Sequence, residues 1–254
     1  MQPHQVTGTT RMAAVIGDPV RHSLSPVIHN AAFEALGLDG VYVALPVPGG
    51  FGDAAVAAMR IFNWYGMSVT MPLKQDVMAS CDGLTAAAQA INAVNCVYWQ
   101  DGQIVGDSTD GDGFLRGLNA DLGVTPAGLH CAIVGAGGAA KAVAHALGSV
   151  GVVGTAADLA AADVVINATP LGMGSTDLVD QVPFDVTALR SDAVVSDLIY
   201  HPAETRLLQQ ARANGLRCQN GLPMLVFQAA TAFERWTGFE APVAAMAAAA
   251  EAAL

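Results

Sequence analysis

Basic residues are scarce in this chain of 254 residues: Lys and Arg number 11 against 22 Asp and Glu, a formal net charge of −11. Nucleic acids and anionic membranes are met by clustered Lys and Arg, so neither is expected as a partner, whereas a small anionic ligand needs only a few local donors. Cysteine is sparse as well. Cys81, Cys96, Cys131 and Cys218 are scattered, form no CxxC pair and sit in apolar or strand-like surroundings, which reads as reduced core residues. His22, His29, His130, His145 and His201 show no ligand-like grouping, so no metal site is expected. Long apolar runs are missing too. The run around Ile133 to Val150 is broken by glycines and Lys141, and Pro242 to Leu254 has only about four helical turns, too short for a hydrocarbon core of roughly 30 Å. Met1 to Met12 lacks the basic-then-apolar order of a secretion signal. The expectation is a cytoplasmic globular protein, monomer or homodimer, without a membrane partner.

What is present is ample core material, 53% hydrophobic residues, enough for one large or two modest domains. Short β-rich runs at Met12 to Ile16, Val41 to Leu45, Met67 to Val69 and Ala93 to Trp99 alternate with Ala/Leu-rich amphipathic segments. That rhythm indicates an α/β fold with a mainly parallel sheet. Ser25-Pro26 ahead of Val27 to Leu36 marks a helix start, with Ser as the cap and Pro pre-set for the first turn. Gln100-Asp101-Gly102 is a hairpin signal, so one antiparallel pair should interrupt the pattern.

A second unit begins near Leu129, where His130 to Val134 runs directly into Gly135-Ala136-Gly137-Gly138-Ala139-Ala140 and a helix. In a dinucleotide-binding turn the first glycine permits the bend, the second admits the pyrophosphate, and a third small residue lets the helix pack closely. Gly135, Gly137 and Ala140 match those roles, and the helix start offers unpaired amides to phosphate without any basic side chain. Asp163 to Asn167 and Ala193 to Asp197 read as further buried strands of this unit. The division expected is a substrate-binding domain over residues 1–112, with residues 222–254 packing back on it, and a Rossmann-like dinucleotide-binding domain over residues 113–221.

Three segments of the first unit are unusually polar: His22 to Pro26, Ser68 to Lys74 and Gly106 to Gly111. Thr70 and Lys74 lie just past a short strand, where ligands gather in α/β sheets. Between Phe33 and Trp99 the only other basic residue is Arg60. A Lys beside a carboxylate, here Asp110, serves as general acid toward a ketone that accepts hydride and as general base in reverse. Taken one by one, a surface Lys, a helix-capping Asp or Ser, a strand-edge Asn95 and a polar helix residue Gln228 are equally ordinary features.

Over nearly its full length the sequence resembles the shikimate dehydrogenase family. The matching stretches are Gly17 to Pro26, Ser68 to Lys74, Ile91 to Asn95, Gly106 to Gly111, Gly135 to Ala139, Ile166 to Pro170, Asp197 to Tyr200 and Asn220 to Gln228. The resemblance implies reversible NADP-dependent reduction of 3-dehydroshikimate to shikimate, in aromatic amino-acid biosynthesis. It also implies Lys74 and Asp110 as the catalytic pair, and Ser23 and Ser25 on the substrate carboxylate. Thr70, Asn95, Tyr200 and Gln228 complete the substrate site. The dinucleotide would be met by Gly135, Ala136, Gly137, Gly138, Ala139, Leu198 and Gly221. Two alternatives remain: a quinate/shikimate dehydrogenase using NAD, and a non-catalytic paralogue that binds ring acids.

The sequence departs from the family at two places. Ser68 stands where the family usually has Asn. No Asn-Arg-Thr-like segment follows the glycine-turn helix, and between Arg116 and Arg190 the only Lys or Arg is Lys141, so the usual fork for a 2′-phosphate is absent. Thr155 to Ala162 reads as helix, and the stretch from Ser149 to Ala162 is too short for a return strand with its crossover helix. We read this shortfall as an omitted segment whose ends join near Leu147 to Val153, the alternative being a real loss of the adenosine-binding strand.

Overall fold

The computed structural model describes residues 6–148, 152–154, 156–174 and 177–254. Contacts divide the chain into two compact units, one comprising the residues up to Thr109 with Ala229–Ala253, the other Asp110–Gln228.

In the first unit, β1 (Arg11–Gly17) buries Ala13, Ala14, Val15 and Ile16 in succession, the mark of a strand covered on both faces. α1 (Ser25–Leu36) leads to β2 (Gly40–Pro46), and α2 (Gly52–Ile61) to β3 (Gly66–Val69). Both strands pair with β1 in parallel. The chain continues through β4 (Gly83–Leu84), α3 (Ala86–Ile91), β5 (Cys96–Gln100) and β6 (Gln103–Asp107). The sheet order is β2-β1-β3-β5-β6-β4.

The hairpin forms where expected, because Asp101 and Gly102 adopt positive φ of 51° and 76°. The expectation of one antiparallel pair is corrected, since β5 runs antiparallel to β3 as well as to β6. Ala93 to Asn95 also stay outside the strand expected there. Val94 N donates to Lys74 O at 2.8 Å and Asn95 N to Asp107 O at 3.0 Å, so this stretch ties two loops together before the strand begins.

An aromatic cluster closes the α1 side of this sheet. The His29 ring, fully buried, lies 4.3 Å from that of Tyr42 and 4.8 Å from that of Trp236, with Phe233 beyond. Trp236 Nε1 donates to Val97 O at 3.1 Å, which ties the C-terminal segment to β5.

The second unit opens with α4 (Asp110–Leu122) and β7 (His130–Val134), followed by α5 (Gly138–Gly148), β8 (Val152–Gly154) and β9 (Val164–Asn167). β10 (Val194–Asp197), α6 (Arg206–Ala213), β11 (Arg217–Gln219) and α7 (Leu222–Thr237) complete the run, α7 passing from this unit into the first. The last helix, α8 (Val243–Glu251), packs on α1 within the first unit. The second sheet is parallel throughout, in the order β11-β10-β9-β7-β8. From β7 the chain steps outward to β8 and then returns past β7 to β9. That reversal is the switch point at which open α/β sheets receive nucleotides.

β8 corrects the sequence-based count. A return strand does form, three residues long, because a 3-10 turn at Ala156–Ala161 replaces the expected helix before β9. The expected junction near Leu147 to Val153 falls partly on residues 149–151, which lie outside the described residues.

Candidate functional site

The polar segments of the first unit gather around the C-terminal ends of β1 and β3. Thr70 follows β3 directly, its N donating to Ile16 O at 2.9 Å, and Leu73 N donates back to Thr70 O at 3.0 Å. Thr70 and Lys74 thus bracket one tight turn whose far end is pinned to Val94. Ser23 and Ser25 enter from the start of α1. The expected capping role of Ser25 is not realised. Ser25 is the first helical residue, the helix start carries no side-chain cap, and Ser23 Oγ instead accepts from Ser25 N at 3.2 Å. Ser25 is 6% exposed, and its hydroxyl is not spent on capping the helix.

Asn95 does part of its work inside the protein. Its Oδ1 accepts from Thr109 N at 2.8 Å and its Nδ2 donates to Thr109 Oγ1 at 3.1 Å, which fixes the residue just before Asp110. Asp107 shares that task and was not singled out from the sequence. It accepts from Thr85 Oγ1 at 2.6 Å and Ser108 N at 2.8 Å, and lies 3.6 Å from Arg235 Nε. Its place inside the Gly106 to Gly111 stretch was the available signal.

In the second unit the glycine turn sits at the switch point. Gly135 has φ of 131°, and a Cβ there would meet the Ala168 carbonyl oxygen at 2.6 Å, so only glycine lets the ends of β7 and β9 come this close. Above Gly137 and Gly138 an added Cβ would meet nothing within 4 Å, while Ala140 behind them is buried against the core. The turn is therefore packed below and open above, and α5 starts at Gly138 with its amides toward the opening. These residues fit a pyrophosphate. Gly135→Val should weaken dinucleotide binding by about tenfold or more, since a β-branched residue is strained at that φ by about 1–3 kcal/mol and would push Ala168 away. A dissociation constant within twofold of the parent, measured by calorimetry, would remove the turn from the cofactor site.

A buried clamp sets the neighbouring strand ends. Asp197 accepts from Asn167 Nδ2 at 2.9 Å, Ile199 N at 3.1 Å and Thr205 Oγ1 at 2.6 Å. Burial pushes the Asp197 carboxyl above its usual range, and those three donors oppose the shift. The clamp presents Leu198, whose N donates to Asn167 O at 3.0 Å. Gly221 N donates to Ile199 O at 2.9 Å, and a Cβ on Gly221 would collide with the Leu198 carbonyl, so Leu198 and Gly221 form one close pair. Tyr200 follows on the same loop, with burial raising its phenol. Gln228, on α7, donates to Leu225 O at 2.8 Å, so one amide hydrogen stays within its own helix. Among the described residues no His, Cys, Asp and Glu cluster could hold a metal.

Comparison with known proteins agrees with this geometry. Residues 15–97 match the shikimate dehydrogenase substrate binding domain, and residues 221–251 the shikimate 5'-dehydrogenase C-terminal domain. Shikimate dehydrogenase (NADP(+)) of Methanopyrus kandleri is 40% identical over 278 residues, covering 95% of each chain. That alignment is longer than this chain's 254 residues, so the relative carries segments absent here. A shikimate dehydrogenase solved with NADP+ superposes with a TM-score of 0.92 at 34% identity, covering 98% of this chain and 97% of the other. Shikimate 5-dehydrogenase of Thermus thermophilus, solved with NADP(H) and shikimate, gives 0.87 at 35% identity, covering 96% and 100%. With a substrate-domain match on the unit that carries Lys74, a glycine turn at the switch point of the other, and relatives matched along almost their whole length, the chain belongs to the shikimate dehydrogenase family.

Proposed function

We propose that the protein is an NADP-dependent shikimate dehydrogenase, reducing 3-dehydroshikimate to shikimate reversibly. Support comes chiefly from the relatives of that activity, which match along almost the whole of both chains. The first unit is assigned to the ring acid and the second to the dinucleotide. Bound NADPH supplies a hydride to the ketone carbon. Lys74 gives its proton to the oxygen that becomes the hydroxyl, and Asp110 holds that hydroxyl. Ser23 and Ser25 donate to the substrate carboxylate, and Thr70, Asn95, Tyr200 and Gln228 select the ring hydroxyls. A site whose buried polar groups expect those hydroxyls rejects a ligand without them. Gly135 to Ala139 hold the pyrophosphate, and Leu198 and Gly221 line the nicotinamide.

Among the described residues no helix is long and apolar enough to cross a membrane. A cytoplasmic location, and a monomer or homodimer, are proposed with the activity. Purified protein given shikimate and NADP+ should generate reduced nicotinamide, with quinate and NAD+ as the comparison arms. Silence with both cofactors in folded protein sinks the reading, and a higher kcat/KM for quinate replaces it with a quinate dehydrogenase.

A further inference from the structure

Asp197 is fully buried, and among the described residues no Lys, Arg or His pairs with it. Arg206, next to its partner Thr205, is committed to Asp180 at 2.7 Å. Buried charges are ordinarily paired or bound to a metal, because taking an ion out of water is costly. Hydrogen bonds alone do not explain the charge. Asp197 accepts from Asn167 Nδ2, Ile199 N and Thr205 Oγ1 and donates to none, and these donors favour the ionised form against the burial that opposes it. An asparagine of the same shape could accept from Asn167 and Ile199 through its amide oxygen and donate to Thr205 Oγ1. The clamp would survive without the charge, so the charge asks for a separate reason.

Strand register places that charge. Asp197 on β10 stands opposite Asn167 on β9, and Asn167 opposite Val134 on β7, one row across three parallel strands. Gly135 follows Val134 directly, so the row runs along the C-terminal edge of the sheet from the glycine turn to Asp197. Neighbouring strands are about 4.8 Å apart, which puts Asp197 about 10 Å from the start of the turn. β8 lies on the other side of β7. A dinucleotide seated on such a turn has its adenosine ribose at the end of the strand that follows the glycine helix, here β8, which leaves the side of β9 and β10 to the nicotinamide. The residue after Asp197 is Leu198, whose carbonyl a Cβ on Gly221 would strike.

We propose that Asp197 is a buried counter-charge for the oxidised nicotinamide: its carboxylate stabilises the cationic ring of NADP+ and does little for the neutral ring of NADPH. This rests on the proposed function, in which Leu198 and Gly221 line the nicotinamide. Asp197 touches no atom of the cofactor and acts through space across the Leu198 backbone. In a site shielded from water one charge acts more strongly than in solution, so a single carboxylate is enough to shift the balance between the two forms.

The test measures calorimetric dissociation constants of NADP+ and NADPH for the full chain, as parent and as Asp197→Asn. Asp197→Asn should weaken NADP+ binding by about fivefold to tenfold and change NADPH binding by less than about twofold. Binding of 2′-phospho-ADP-ribose, which carries the adenosine and pyrophosphate without the ring, should stay the same. Equal losses for NADP+ and NADPH, or a loss for the fragment without the ring, overturn the inference, because a purely structural clamp predicts them. Unchanged NADP+ affinity overturns it as well. The parent supplies a check that needs no variant: it should bind NADP+ at least as tightly as NADPH. An NADPH preference above about fivefold in the parent overturns the counter-charge, even where Asp197→Asn fails to fold. A folded parent that binds neither form overturns the dinucleotide reading itself, whereas every other outcome bears on Asp197 alone.

Discussion

Lys74→Ala is expected to cut turnover of shikimate by about 100-fold or more while leaving its binding within about tenfold, the scale of a lost general acid–base group. Lys74 follows the turn that begins at Thr70, its carbonyl accepts from Val94 N at 2.8 Å, and Leu73 beside it is fully buried. The backbone at Lys74 is thus fixed by its neighbours, and truncating the side chain should leave the turn intact. Turnover of shikimate with NADP+ and calorimetric binding of shikimate, measured on one preparation, separate the two effects. An equal loss of both would make Lys74 a group that only orients substrate. A variant that binds and turns over like the parent would remove Lys74 from the proton transfer.

The second large effect concerns acid. His29 is fully buried among Tyr42, Phe233 and Trp236, with neither ring nitrogen hydrogen-bonded, and burial pushes its pKa down from 6.5 to about 3. Folding therefore depresses this group. Below pH 6.5 the unfolded chain takes up a proton that the native state refuses, so stability is lost as pH falls toward the native value. Each pH unit in that window costs about 1.4 kcal/mol, so between about pH 7 and about pH 4.5 the parent should lose about 2.5 kcal/mol more than His29→Phe. Phe keeps an aromatic ring in the stack and cannot take up the proton. Urea unfolding at the two pH values gives the comparison directly, and its difference cancels whatever the larger ring costs in packing. Parallel losses in parent and variant would show that His29 is not the acid-sensitive group.

Much of the candidate site was legible because its signals are local. Gly135 to Ala140 reads as strand, turn and helix from residues that are adjacent in sequence, and Asp101-Gly102 announces its hairpin by the dihedrals those residues tolerate. Lys74 stood out for the opposite reason, as a charge in a stretch where Arg60 is the only other basic residue. Other parts were hidden because they depend on distant partners. Asn95 looks like an ordinary strand-edge residue until its amide is seen to hold Thr109. Ser25 looks like a helix cap until the helix is found to begin on it. Asp197, Asn167 and Thr205 are ordinary polar residues in sequence, and only the adjacency of β9 and β10 makes them a buried clamp.

The sequence alone determined the α/β alternation, the places of the glycine turn and the hairpin, and the family to which the ordered motifs point. Each of these follows from backbone preference, side-chain size or chemistry within a few residues. Tertiary structure alone decided that β5 opposes both its neighbours and that a three-residue β8 closes the second sheet. It alone also left Tyr42 Oη buried without a hydrogen bond. Strand direction, burial and the satisfaction of a polar atom are set by what the chain brings back from far along its length, and no local pattern encodes them.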